Sequence, residues 1–88
     1  MPTKEVKLTS KTWTLISGAK AGMLENQAGS VVLYRFDPAL PAPIDKVGHQ
    51  LKLMDDMSWS RDASESLFGR TATGEGTVVV TEVLSTAP

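Results

Sequence analysis

Apolar and polar residues alternate with a period of two along much of this chain, and the alternation is broken at near-regular intervals by glycine, proline, serine and asparagine. A period of two puts successive side chains on opposite faces of an extended strand. Residues 4–9 alternate with Val6 and Leu8 on one face. Residues 12–17 alternate too, with Trp13 and Leu15 facing one way and Thr12, Thr14 and Ile16 the other. Gly18 and Gly22 bracket a turn, residues 23–26 form a short strand, and residues 27–30 turn again. Residues 31–36 (VVLYRF) are β-branched and aromatic, which suits a pleated surface, with Val32, Tyr34 and Phe36 on one face. Residues 49–54 and 56–60 are weaker strands anchored by Leu51, Leu53, Met57 and Trp59. Residues 66–71 and 77–84 read as strands joined by a glycine-containing hairpin turn at 72–76. Val78, Val79 and Val80 leave neither face of the last strand polar, as expected of a central strand.

No run of ten residues carries a 3.6-residue period, and residues 64–69 offer at most one helical turn, capped by Ser64. The pattern therefore predicts an all-β fold: a small antiparallel β-sandwich or partly closed barrel, jelly-roll-like, with seven to eight short strands in a single domain over residues 1–88. Residues 37–44 (DPALPAPI) hold three of the five prolines and read as a loop or arm with polyproline II character. Residues 1–7 read as an N-terminal arm, and the tail at 85–88 as frayed. The expected core is Trp13, Val32, Tyr34, Phe36, Phe68 and Val80. Trp59, set among Ser58, Ser60 and Arg61, is the aromatic expected to be most exposed.

Composition narrows the function. Eighty-eight residues exclude a multidomain enzyme or a large barrel enzyme. A domain of this size buries only about 60–65% of the surface of its unfolded chain, so it has a reason to associate. Nine basic and ten acidic residues, interspersed, give a net charge of −1, and no basic stripe is present to neutralise phosphates; nucleic acid is not an expected partner. With no cysteine, neither a disulfide scaffold nor a thiolate metal site is possible. The longest aliphatic run, Val78 to Val80, is too short to cross a bilayer, and Met1 to Glu5 have no apolar stretch behind them. Synthesis in a cytoplasm and no membrane association are expected.

Catalytic motifs are sparse. His49 is the single histidine and sits beside a loop, without an acid placed to make it a base. Asp55 and Asp56 are adjacent, so in an extended segment they face opposite ways and cannot act as a pair. Asp37, Asp45 and Asp62 fall in separate polar loops. Gly69-Arg70-Thr71-Ala72-Thr73-Gly74 has the glycine spacing of a phosphate loop, but Glu75 and Gly76 follow where lysine and a hydroxyl residue are needed. The expectation is no catalytic residue, no metal, no cofactor and no enzymatic activity.

Three segments carry a resemblance. Asp45-Lys46-Val47-Gly48-His49-Gln50-Leu51 is the first. Leu67-Phe68-Gly69-Arg70-Thr71-Ala72-Thr73-Gly74 is the second, and Gly76-Thr77-Val78-Val79-Val80-Thr81-Glu82 the third. Together with Gly29-Ser30-Val31-Val32-Leu33-Tyr34-Arg35-Phe36 and the Ala-Pro loop after it, they resemble small structural proteins encoded by tailed bacteriophages and prophages, over the span from about Trp13 to Glu82. Phe68 stands where that group leads one to expect tryptophan. The resemblance implies an all-β virion component of the capsid decoration or cement type, or a tail or fibre part. Its implied partner is the major capsid protein or another virion protein. It also implies a homo-oligomer, with a trimer favoured, and no catalytic residues. Contacts are then expected from the N-terminal segment, at Pro2, Lys4 and Val6, and from the proline loop, at Pro38, Leu40, Pro41 and Pro43. The alternative is a small carbohydrate-binding β module that stacks sugar on Trp59 or Trp13.

Overall fold

The structure, a computed structural model, describes residues 3–61 and 65–83. Eight strands account for most of them: β1 (Thr3–Thr9), β2 (Thr14–Ser17), β3 (Ala21–Asn26), β4 (Val32–Asp37), β5 (His49–Leu51), β6 (Asp56–Ser60), β7 (Ser66–Thr71) and β8 (Glu75–Val83). No helix occurs among the described residues.

The strands form two antiparallel sheets. One, sheet A, has the order β1-β8-β3-β6, and the other, sheet B, the order β2-β7-β4-β5. Four of the pairings nest inside one another: β1 with β8, β2 with β7, β3 with β6 and β4 with β5. The chain is thus a long hairpin of strand pairs, wrapped so that β3 also meets β8 and β4 also meets β7. That order is a jelly roll. The two sheets stay separate, so the barrel alternative does not hold.

The alternation predicts one face of most strands correctly. Leu8, Ile16, Leu24, Val32, Leu51, Leu67, Val78 and Val80 are buried between the sheets, with Val6, Tyr34, Phe36 and Met57 packed against them. β8 is central, between β1 and β3, as its three valines require. Tyr34 and Phe36 are only half-buried; the β4–β5 register stops at Tyr34 opposite His49, so Phe36 lies beyond the end of β5.

Several expectations are corrected. The N-terminal segment is not an arm: Thr3 to Thr9 pair with Thr81 to Glu75 in unbroken register, because Val6 and Leu8 point into the core and Leu8 is fully buried. Residues 72–76 are not a hairpin turn, because β7 and β8 lie in different sheets. The connection instead crosses from one sheet to the other and is tied down on both sides: the Ala72 N–H donates to the Val31 carbonyl at 2.8 Å and the Ser10 N–H to the Gly74 carbonyl at 3.0 Å. Gly74 takes a left-handed φ of 67° there, which a side chain would disfavour. β5 ends at Leu51, and Leu53 and Met54 are exposed in the turn that follows. Buried Asn26 shapes that region: its amide donates to the carbonyls of Ser30, Leu51 and Lys52, and its own carbonyl accepts the Ala28 N–H. Trp59 is buried, not exposed. It alternates with Met57 on the inner face of β6 and donates its indole N–H to the Ala19 carbonyl at 3.1 Å. Pro2, Ser64, Leu84 and the expected tail at 85–88 lie outside the described residues.

Candidate functional site

The feature that alternation does not foresee lies on the outer face of sheet B. On β7, Leu67, Gly69 and Thr71 face inward, so Phe68 and Arg70 face outward; on β4, Val32, Tyr34 and Phe36 face inward, so Leu33 and Arg35 face outward. An outward aromatic on a two-layer sandwich is normally wet. Here Phe68 is 6% exposed, Trp13 2% and Arg70 2%. The long β4–β5 connection, residues 38–48, lies over Trp13 and Arg70 as a strap.

Two guanidiniums and one carboxylate pin the strap. Arg70 donates through Nη1 to the Pro43 carbonyl at 2.8 Å and through Nη2 to the Ser10 carbonyl. Arg35 reaches Asp45 Oδ2 through Nη1 at 2.9 Å, the Val47 carbonyl at 3.1 Å, and the Asp37 carboxylate through Nε and Nη2. Both guanidinium carbons lie over the Trp13 ring, at 5.5 Å for Arg35 and 5.4 Å for Arg70, a cation–π arrangement strengthened at buried Arg70 by exclusion of water. The Trp13 indole N–H donates to the Asp45 carbonyl at 2.5 Å. Asp45 also accepts the Val47 N–H on Oδ1, closing an Asx turn. That backbone hydrogen bond, and after it the Arg35 guanidinium, holds the Asp45 carboxyl below the usual aspartate range. In turn the hydrogen bonds from Arg35 to Asp37 and then Asp45 raise the Arg35 pKa. Gly48 lets the strap pass this close: a Cβ there would lie 3.0 Å from the Trp13 ring and 3.1 Å from the Tyr34 carbonyl oxygen.

The strap is therefore pinned underneath and apolar on top. Pro38, Leu40 and Pro43 are exposed on it, as expected of partner contacts; Pro41 is not, because it is buried. Two residues that the sequence reading did not single out complete the outward surface: Ile44, 88% exposed, and Val47, 75% exposed. Their signal was present as aliphatic residues in a loop with no alternation to bury them. Of the N-terminal candidates, Lys4 pairs with Glu82 at 3.6 Å and Val6 is half-buried in β1, while Pro2 lies outside the described residues.

Other surfaces offer less chemistry. His49 is exposed and packs against Tyr34, with ring centroids 5.4 Å apart. Among the described residues no cluster of three or more His, Asp or Glu side chains is placed to hold a metal ion. A shallow groove of about 360 Å³, lined in part by Ala21, Met23, Thr81 and Val83, opens on sheet A and bears no titratable side chain. Both tryptophans are largely buried, Trp13 beneath the strap and Trp59 at 7% exposure, although Trp59 also lines the groove on sheet A. No protein-family model, curated protein or solved structure matches the chain.

Proposed function

We propose that this protein is a structural component of a tailed-phage particle that docks on the major capsid protein, or on another virion protein, through the top of its proline strap. The supporting observation is the pinned strap itself. Leu40, Ile44 and Val47 are held outward by hydrogen bonds and proline restriction before any partner arrives, so docking orders little that is not already ordered. The jelly roll is a frequent architecture of viral capsid domains, an association that fits the reading without carrying it.

The test is co-sedimentation with empty heads assembled from the major capsid protein of the phage or prophage that carries this gene. The wild-type protein is expected to bind. Replacing Ile44→Asp together with Val47→Asp should weaken binding on the order of tenfold or more, because apolar anchors at an interface centre dominate its energy. Both side chains are solvent-facing, so far-UV circular dichroism should not change. Failure of the wild-type protein to bind, or unchanged binding by the double variant, overturns the proposal.

A further inference from the structure

The two sheets end differently on the side of the molecule where β1 and β2 lie. β2 has four residues and a bulge between Leu15 and Ser17, which disrupts its edge as a template. β1 has seven residues, no proline, and a register with β8 that never shifts. Among the described residues no strand lies on its other side.

The hydrogen-bonding phase of that free edge follows from one bond. Ser10 donates to Gly74 across the β1–β8 register, so Leu8, Val6 and Lys4, counted back in twos, also bond toward β8. Thr3, Glu5, Lys7 and Thr9 then direct their N–H and C=O groups outward, and their side chains lie on the outer face of sheet A. A partner strand must place its own outward-directed groups opposite these.

A second copy of β1, antiparallel about a twofold axis, does so only in registers that pair odd residues with odd residues. Centring the axis beside Glu5 would oppose Glu5 to its own copy, and centring it beside Lys7 would oppose the two lysines. Centring it beside Val6 sets Glu5 against the second copy's Lys7 on both sides of the axis and Thr3 against Thr9. Every residue from Thr3 to Thr9 is then used. The same register brings the two half-buried Val6 side chains together and extends the core across the axis. It also adds a lysine to an acidic row, since Glu5, Val79, Glu25 and Asp56 lie side by side on the outer face.

We infer that the protein forms a twofold dimer by antiparallel pairing of β1 with β1 of a second copy, in the register that joins Glu5 to Lys7, so that sheet A runs on into the partner's sheet A. The pairing is a property of the free protein and holds whether or not the strap docks on a particle. Opposite charges directly across a strand pair stabilise it and like charges destabilise it, and each effect occurs twice at a twofold interface.

Sedimentation equilibrium on the free protein tests this. The wild type is expected to be dimeric. Lys7→Glu and Glu5→Lys, each placing like charges in opposition, should raise the dimer dissociation constant by on the order of tenfold or more. Combining E5K with K7E reverses the pair and should restore the dimer. Because all these side chains are exposed, circular dichroism should remain that of the wild type. The inference is overturned if the wild type is a monomer or trimer, if either single variant dimerises as well as the wild type, or if the double variant fails to recover.

Discussion

The two tryptophans of this chain sit in two different kinds of interior. Trp59 belongs to the space between the sheets, in the aliphatic core cluster and beside Phe36, and its indole N–H donates to the Ala19 carbonyl. Trp13 lies on the far side of sheet B, under a loop, between guanidiniums and carbonyls. The first interior is non-directional, and its cohesion scales with area removed from water. The second is directional: Arg70 satisfies Pro43 and Ser10 at defined positions, and every buried side-chain nitrogen and oxygen among the described residues has a partner. The inner layer thus establishes that a sandwich forms, whereas the outer layer establishes where one loop rests on it.

If that division is right, the two interiors should fail separately. The largest effect is expected between the sheets. Trp59→Ala should cost about 3–5 kcal/mol, comparable with the whole stability of a domain this small, and should abolish the cooperative thermal transition. Retention of that transition within a few degrees would show that the inter-sheet layer does not dominate. Next is Arg70→Met, which keeps the apolar stem but leaves the Pro43 and Ser10 carbonyls without their donor. It should cost about 1–3 kcal/mol and raise amide exchange across residues 38–48 while β8 stays protected. Exchange rising equally in β8 would mean that strap and sandwich are one cooperative unit. The smallest effect is on pH. The Asp45 carboxyl is depressed in the folded protein, so the stability it confers is present above its unfolded value of about 3.9 and is lost as pH falls through the lower folded value. On acidification below about pH 4, the Trp13 indole N–H resonance, hydrogen-bonded to Asp45, should shift before that of Trp59. Simultaneous movement of both would break the distinction.

This contrast also sorts what was legible in the sequence. β6 and β7 were read to their observed ends, and β1, β4 and β8 to within a residue or two, because β-branched and alternating residues there meet one buried face. Alternation says that two faces differ but not which is inner. Phe68 and Trp13 are buried, as expected, yet on the outer face of sheet B instead of between the sheets, with Trp13 beneath the strap. The polar neighbours of Trp59 suggest exposure, although Ser58 and Ser60 occupy the opposite face of the same strand and Arg61 lies beyond its end. The grouping of Leu15 with Trp13, opposite Ile16, holds, but theirs is the outer face of sheet B: the strap covers Trp13 and leaves Leu15 more than half exposed, while Ile16 is buried between the sheets. The proline loop was legible as a restricted segment. Its docking onto Arg35 and Arg70 was not, since a lone arginine in a strand looks the same in sequence whether water or a carbonyl meets it.

The nesting of the strand pairs has a consequence for the order of events in time. The partner of Thr3 is Thr81, and β8 separates β1 from β3, so sheet A has no continuous ladder until the last of the eight strands has been synthesised. Only β4 and β5 follow one another and also pair, so they can meet early. For most of translation β1 is a finished strand without a neighbour, and closing the loop to β8 costs entropy before any contact repays it. Folding of this chain should therefore be slow for its length and should begin from the β4–β5 end, with β1, synthesised before the other seven strands, among the last to find its place.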